Sequence, residues 1–344
     1  MKKIRYGLFL MLLCGTIANA QIDNTQTITK TGTTAAQFLK IGVDARAASM
    51  GGAFVGMGGD ISSIYWNPAG LGHIKGMQVI AVHNQWLADM DFNFLAIGLE
   101  LPGVGVLGAG ITYLGVPEDK VRTITQPDGT GEMFSANDFA VTLSLARQLT
   151  DKFSIGGNAK YTRQSIWHET AQTIALDIGA LFETPFKGIR LGASISNFGG
   201  NMRMEGRDLR FSKDPDPDGI GNVEFVNANY ETDHFPLPLF FRVGIAGELM
   251  QTDNTRITFG LDSINPNDNT ESLNSGLEFA FNEMFFLRGG YSALFRDESE
   301  EGFTFGGGVH YRLWGSTTIL KLDYAYADFG LLETVNRFSL GVSF

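Results

Sequence analysis

Cysteine is almost absent: the 344-residue sequence has one, Cys14, and nothing after it. A mature chain without thiols has no disulfide, thiolate nucleophile or cysteine metal site to work with. Positive charge is also scarce, with 26 Lys and Arg against 37 Asp and Glu, a formal charge of −11. Nucleic acid is therefore not an expected partner, because binding a polyanion takes clustered Lys and Arg. Long apolar runs are missing beyond the start, and a mean hydropathy of +0.00 argues against a bundle of membrane helices. The one continuous apolar stretch, Tyr6 to Leu13, follows Lys2, Lys3 and Arg5 and precedes Ala18-Asn19-Ala20. That is the layout of a cleavable signal peptide over 1–20. Lipidation at Cys14 is disfavoured because Leu13 is bulky where a lipoprotein cleavage site needs a small residue.

What the sequence has in quantity is glycine, 43 residues, and phenylalanine, 27. From Met77 onward these fall into about fourteen alternating segments of roughly ten residues, the repeated signature of a membrane barrel. The first covers 77–87 and the last 333–344. Their connections alternate in length: Pro102-Gly103, Thr150 to Lys152, Pro185 to Gly188, Thr252 to Asn254, Asn282-Glu283 and Gly315-Ser316 are tight turns, while 115–134, 199–236 and 295–301 are longer. Outer-membrane barrels show this asymmetry, with short periplasmic turns and long outer loops. A first strand starting at the periplasm and an even strand count return Phe344 to the periplasmic side.

Charge parity gives a second test, because Arg or Lys on the lipid face at the bilayer midplane costs about 2–4 kcal/mol. Phe303, Phe305, Val309, Tyr311 and Leu313 oppose Thr304, His310 and Arg312; Leu239, Phe241, Val243 and Ile245 oppose Arg242 and Glu248. Asp177, Arg190, Asp262, Glu278, Arg288, Lys321 and Asp323 fit the lumen register. The sequence ends on the same pattern, with Phe338, Leu340, Val342 and Phe344 on one face and Arg337, Ser339, Gly341 and Ser343 on the other. Trp86 and Trp167 are placed near outer strand ends and Trp314 near an inner one, where indoles suit the membrane interfaces. The expected fold is an all-β transmembrane antiparallel barrel over 77–344, in the bacterial outer membrane and in contact with its lipid. An N-terminal extension and plug over 21–76 precedes it.

The plug expectation comes from residues 35–76, which lack strand alternation and are rich in small residues. Asp60 is placed to cap a short helix through Tyr65, and Pro68 prevents its continuation. The Met50-Gly51-Gly52-Ala53 stretch, Gly59-Asp60 and Trp66-Asn67-Pro68-Ala69-Gly70-Leu71 resemble the FadL-like barrels, and especially the PorV/PorQ family. Asp44-Ala45-Arg46-Ala47 and Tyr65-Trp66-Asn67-Pro68 are closer to the PorV/PorQ pattern, although Ala69 is followed by Gly70 where PorV itself has lysine. The resemblance implies a fourteen-stranded barrel with a plug motif at Asn67, Pro68, Ala69, Gly70 and Leu71. It also implies a role in type IX secretion as an accessory that binds exported cargo, with other secretion components as partners. The alternative it carries is FadL-like transport of hydrophobic small molecules. In such families a terminal aromatic strand is the assembly signal read by the barrel-insertion machinery, here Phe338, Leu340, Val342 and Phe344.

Other motifs point elsewhere and are weaker. Gly103-Val104-Gly105-Val106-Leu107-Gly108 matches a dinucleotide-binding pattern but runs into an alternating strand instead of a helix, so no cofactor is expected. Asp214-Pro215-Asp216-Pro217-Asp218-Gly219 begins like a calcium loop, yet position twelve is Phe225 and not Glu. A solvated acidic loop is the preferred reading there, with calcium left open. His83, His168, His234 and His310 form no set with a nucleophile, so an enzyme is not expected. The candidate outer-loop contacts are Met202, Met204, Phe211, Phe225 and Tyr230, which interrupt the acidic 199–236 stretch. A loop folded over the rim by those same residues is an equal alternative.

Overall fold

The structure is a computed structural model and describes residues 30–344 apart from 187, 220–224, 297 and 298. The signal-peptide expectation for 1–20, with Cys14, lies outside the described residues. Fourteen long strands form the wall: β1 Met77–Gln85, β2 Asp91–Leu101, β3 Gly105–Gly115, β4 Ala136–Thr150, β5 Phe153–Ile166, β6 Glu169–Glu183 and β7 Arg190–Gly199. Then follow β8 Phe240–Gln251, β9 Thr255–Pro266, β10 Ser272–Phe281, β11 Phe285–Leu294, β12 Phe303–Arg312, β13 Ile319–Asp328 and β14 Thr334–Ser343. Each pairs antiparallel with its chain neighbours, and β1 pairs with β14, Val79 opposite Val342 and Asn84 opposite Arg337. The sheet is thus closed and leaves no long edge exposed. β8 begins later than expected, at Phe240, because Pro236 and Pro238 have no N–H to give a ladder. Of the glycines at 103–108, Gly105 and Gly108 lie in β3 and Gly103 in the turn before it, so no helix follows them.

Side-chain parity follows the sequence pattern. In β14 Phe338 and Leu340 are 52% and 57% exposed, whereas Arg337 and Ser339 are buried. Phe241 and Val243 of β8 and Phe303 and Phe305 of β12 point outward in the same way, opposite buried Arg242 and Thr304. A band of large exposed apolar side chains around a closed sheet is a lipid-facing surface. The short turns gather at one end with Gly76 and Phe344, which is the periplasmic end. The long connections gather at the other, where two carry hairpins of their own, Asp119–Lys120 with Met133–Phe134 and Arg210–Lys213 with Val226–Asn229. Trp314 is almost fully exposed and Trp167 partly so, but Trp86 has lumen parity, contrary to the interface placement expected for it. Its indole packs edge-on to Phe329 at 5.3 Å, on the inner side of the outer rim.

The lumen is filled from within the chain. Residues 34–41 sit at the outer end, where Ala36 N–H donates to Gln164 Oε1 at 2.7 Å and Ala35 N–H to Pro236 O at 2.9 Å. The chain then descends through short helical pieces, Gln37–Lys40, α1 Ala45–Ser49, α2 Ser63–Trp66 and Pro68–His73. It leaves at Gly76, whose N–H donates to Glu100 at 3.0 Å. The plug therefore runs the length of the lumen. Phe38, Leu39, Ile64, Leu71 and Ile74 bury their apolar faces against Ile80, Val82 and Phe94 of the wall. Burial of that kind contributes about 1.5–3 kcal/mol per large side chain.

Candidate functional site

Asn67 to Leu71 are all buried, and they clasp the plug to the wall. Asp60 Oδ1 accepts from Ser62 N–H at 2.9 Å and Ser62 Oγ at 2.8 Å, so Asp60 braces the N-cap Ser62 and does not cap α2 itself. After α2 the chain turns extended at Asn67, and Pro68 starts the next helical piece at a position where its missing N–H costs nothing. The Asn67 amide donates to Val55 O at 2.9 Å and to Ala180 O of β6 at 3.0 Å, while its Oδ1 accepts from Ala69 N–H at 3.2 Å. Ser154 Oγ donates to Ala69 O, Ser194 Oγ to Trp66 O and Asn158 Nδ2 to Ile64 O at 2.7–3.1 Å. The wall lets the backbone come this close by using glycine. A Cβ at Gly179 would strike Asn67 Oδ1, and one at Gly156 would strike the Pro68 carbonyl.

On the opposite wall the clasp is ionic. Arg46 of α1 forks onto Glu278 of β10, Nε to Oε2 at 2.8 Å and a terminal nitrogen to Oε1 at 2.9 Å, and lies 3.4 Å from Asp60. Glu278 also takes Arg288 at 2.7 Å and Arg256 at 3.1 Å. Arg288 in turn pairs with Asp323 at 2.6 Å, which holds His310 at 3.2 Å. Asp262 completes the attachment, its Oδ2 accepting from the N–H groups of Phe54 and Val55 at 2.6 and 2.8 Å. Bidentate, charge-assisted bonds of this kind fix geometry as well as energy. The role of Arg46 was not read from the sequence, although a lone charge among Ala45, Ala47, Ala48 and Ser49 demands a buried partner once that run is buried.

Above the clasps lies a cavity of about 480 Å³. Tyr65 and Trp66 of the plug, Phe240 and Arg242 of β8, and Arg337 of β14 line it, and Met90 and Phe329 of the outer connections carry it to the outer rim. None of Asn67 to Leu71 lines it. At its outer edge Lys40, which with Gln37 also lines it, pairs with Asp268 of the β9–β10 loop at 2.8 Å, with Thr34 and Gln37 also donating to that carboxylate. Burial opposes ionisation of Asp268, but these hydrogen bonds outweigh it and hold the carboxyl below the usual range.

The candidate outer-loop contacts separate into two groups. Met202 is buried, bridges to Phe235 and packs with Met204 onto the plug core, so this part of the loop is folded over the rim. Phe211 stacks on Tyr230 at 4.5 Å across the Arg210–Lys213 and Val226–Asn229 hairpin, and Tyr230 and Phe225 are exposed. In the acidic stretch, Asp216 N–H donates to Asp214 Oδ1 at 3.0 Å, and no three metal-ligating side chains converge among the described residues. Ile220 to Glu224, which complete the calcium-loop pattern, lie outside the described residues. The histidines are apart: His83 meets Asn93, His168 meets Asp208, and His310 belongs to the Asp323 pair. Phe338, Leu340 and Phe344 face outward, with Val342 half-buried between them.

A plugged, closed fourteen-stranded barrel agrees with the family comparison, in which the model described as type IX secretion system protein PorV matches residues 23–205. The chain belongs to the PorV family. Its place is the bacterial outer membrane, and its family and fold are those of outer-membrane barrels, not of enzymes. No curated protein matches it. Among solved structures it is similar to the toluene transporter TbuX of Ralstonia pickettii, at 13% identity and a TM-score of 0.51 over 88% of this chain and 97% of that one. The CymD monoaromatic hydrocarbon channel gives 13% identity and 0.54 over 88% and 98%. A FadL homologue of Pseudomonas aeruginosa gives 10% and 0.51 over 86% and 96%. At these identities the likeness is one of fold.

Proposed function

We propose that this PorV-family barrel is a type IX secretion accessory that binds exported cargo at its outer loops and does not catalyse a reaction. The observation that carries the reading is the double clasp of the plug. A lumen filled from Thr34 to Ile74 and tied to opposite walls suits a rigid platform better than a conduit. The exposed Phe225 and Tyr230 at the outer end supply the kind of apolar anchor on which protein contacts depend. Deletion of the gene is expected to strand proteins bearing a C-terminal sorting domain in the periplasm, and pull-down of the barrel is expected to recover them. Normal secretion in the deletion strain overturns the reading.

A second reading, passage of hydrophobic small molecules, is favoured by the aromatic cavity in the outer lumen. It requires the clasp at Asn67 to Leu71 to open. Wild-type uptake of such compounds by the deletion strain counts against it.

A further inference from the structure

A lysine, a carboxylate and a carboxamide meet on the inner side of three consecutive strands: Lys160 of β5, Asp177 of β6 and Asn197 of β7. Lys160 Nζ lies 2.8 Å from Asp177 Oδ2 and 2.8 Å from Asn197 Oδ1. All three residues are buried, at 6%, 2% and 2% exposure. Asn197 reaches this point through a bulge: the β6–β7 register shifts between Leu176 and Ile178, and Asn197 takes a φ of 65°. Ser196 and Asn197 are therefore both buried, where strict alternation would turn one of them outward. Asn197 Nδ2 donates to Pro238 O at 2.9 Å, which leaves the carboxamide oxygen turned to the lysine. Asp177 is fixed in turn, accepting from Asn158 Nδ2 at 2.6 Å and from Asn197 N–H at 2.8 Å. Lys160 also borders a small space lined by Phe38, Leu39 and Ile64 of the plug and Phe94 and Ala140 of the wall. The docked plug thus covers the trio with apolar side chains.

We propose that Lys160 and Asn197 are joined by an isopeptide bond that the folded barrel forms by itself, with Asp177 as the proton carrier. Desolvation opposes both charges of a buried ion pair, and one proton passes from Lys160 to Asp177 across the 2.8 Å contact. The freed Nζ lone pair attacks Cγ of Asn197, the carbon bonded to the oxygen that Nζ already touches. Protonated Asp177 donates to Nδ2, the Cγ–Nδ2 bond breaks, and ammonia leaves. The new amide nitrogen returns a proton to Asp177. The products are one secondary amide and one ammonia, and no oxidant or second substrate is needed. Holding two groups in reacting geometry is equivalent to a concentration of about 10⁵–10⁸ M, which offsets the low reactivity of an unactivated amide. The bond ties β5 to β7 across β6, at the bulge where the β6–β7 ladder is interrupted. It is independent of cargo binding, so its failure leaves the secretion reading standing.

The test is protease digestion and mass spectrometry of the whole barrel purified from the outer membrane. A peptide pair joined through Lys160 and Asn197 is expected, lighter by one ammonia, about 17 Da, than the sum of its parts. Trypsin is expected not to cut after Lys160. Lys160→Arg, which keeps the charge, and Asp177→Ala, which removes the proton carrier, are each expected to release the two segments as separate peptides. Separate, unmodified peptides from the wild-type protein overturn the proposal. So does a linked pair lighter by one water, about 18 Da, which would place the bond on Asp177. A linked pair that persists in Asp177→Ala overturns the role given to Asp177. The wild-type digest needs no variant to fold.

Discussion

In the periplasmic half of the lumen Arg46, Arg256 and Arg288 share Glu278, and Arg288 goes on to Asp323, so each of these three guanidinium groups has a carboxylate within 3.4 Å. In the outer half Arg242 and Arg337 are more deeply buried than Arg46 and Arg256 and form no direct ion pair among the described residues. Both sets sit at lumen-facing positions of the same wall, so strand alternation does not distinguish them. The difference lies in what fills the barrel at each level. Below, the plug brings its own Arg46 and Asp60 into register with the wall, and charge acts as an adhesive. Above, the plug presents Tyr65, Trp66 and bare backbone around Gly42, Gly51 and Gly52, and the wall's cations face open space. Direct ion pairs thus fasten the plug in the lower lumen, while the upper lumen is held by apolar and backbone contacts around a cavity.

The sharpest way to break this contrast is Glu278→Gln, which makes the lower half resemble the upper by leaving Arg46, Arg256 and Arg288 short of a counter-charge. Removing one partner from a buried ionic cluster costs about 3–5 kcal/mol. The variant is expected to unfold at lower temperature on heated gels and to expose residues 45–60 to protease. Arg337→Met acts in the other direction. A buried cation without a direct ion pair carries an uncompensated desolvation cost that an apolar side chain avoids, so the melting temperature of this variant is expected to equal or exceed that of the parent. A loss of stability there would show Arg337 to be a structural member of the wall.

The smallest effect concerns the lid of the upper half, where Lys40 meets Asp268. The folded-state carboxyl titrates below its ordinary value of about 3.9. Its contribution is therefore present above that value and lost as pH falls through the depressed one. A partly exposed pair of this kind is worth about 1 kcal/mol or less. The protection of the Thr34 to Lys40 amides, taken relative to the intrinsic exchange rate at each pH, is expected to be lower near pH 3 than at neutral pH, with protection of the β10 amides unchanged. Equal protection at both pH values would detach this segment from the ion pair.

Much of the site was readable in outline. The Asn67 to Leu71 run announces a compact turn, because Pro68 cannot continue α2 and Asn67 caps the helical piece after it. That the same Asn67 amide reaches Ala180 O, 113 residues away, has no local signal. The glycines of β5 and β6 carry no local signal of their purpose, because the Pro68 carbonyl against Gly156 and Asn67 Oδ1 against Gly179 depend on where the plug docks. Met202 reads equally as an outer-loop contact or as an anchor folding the loop over the rim, and only its burial against the plug core decides for the second.

Period-two alternation and the spacing of turns are properties of short stretches of chain, and from them alone came the fourteen strands, the lipid-facing parity and the short and long ends. Which lumen charges find partners was decided by tertiary structure alone. Arg46 and Glu278 stand 232 residues apart and meet only when closure of β1 on β14 fixes the width of the lumen and the plug threads it from the outer end. Electrostatic pairing is a matter of a few ångströms, and no local pattern fixes a distance across a barrel.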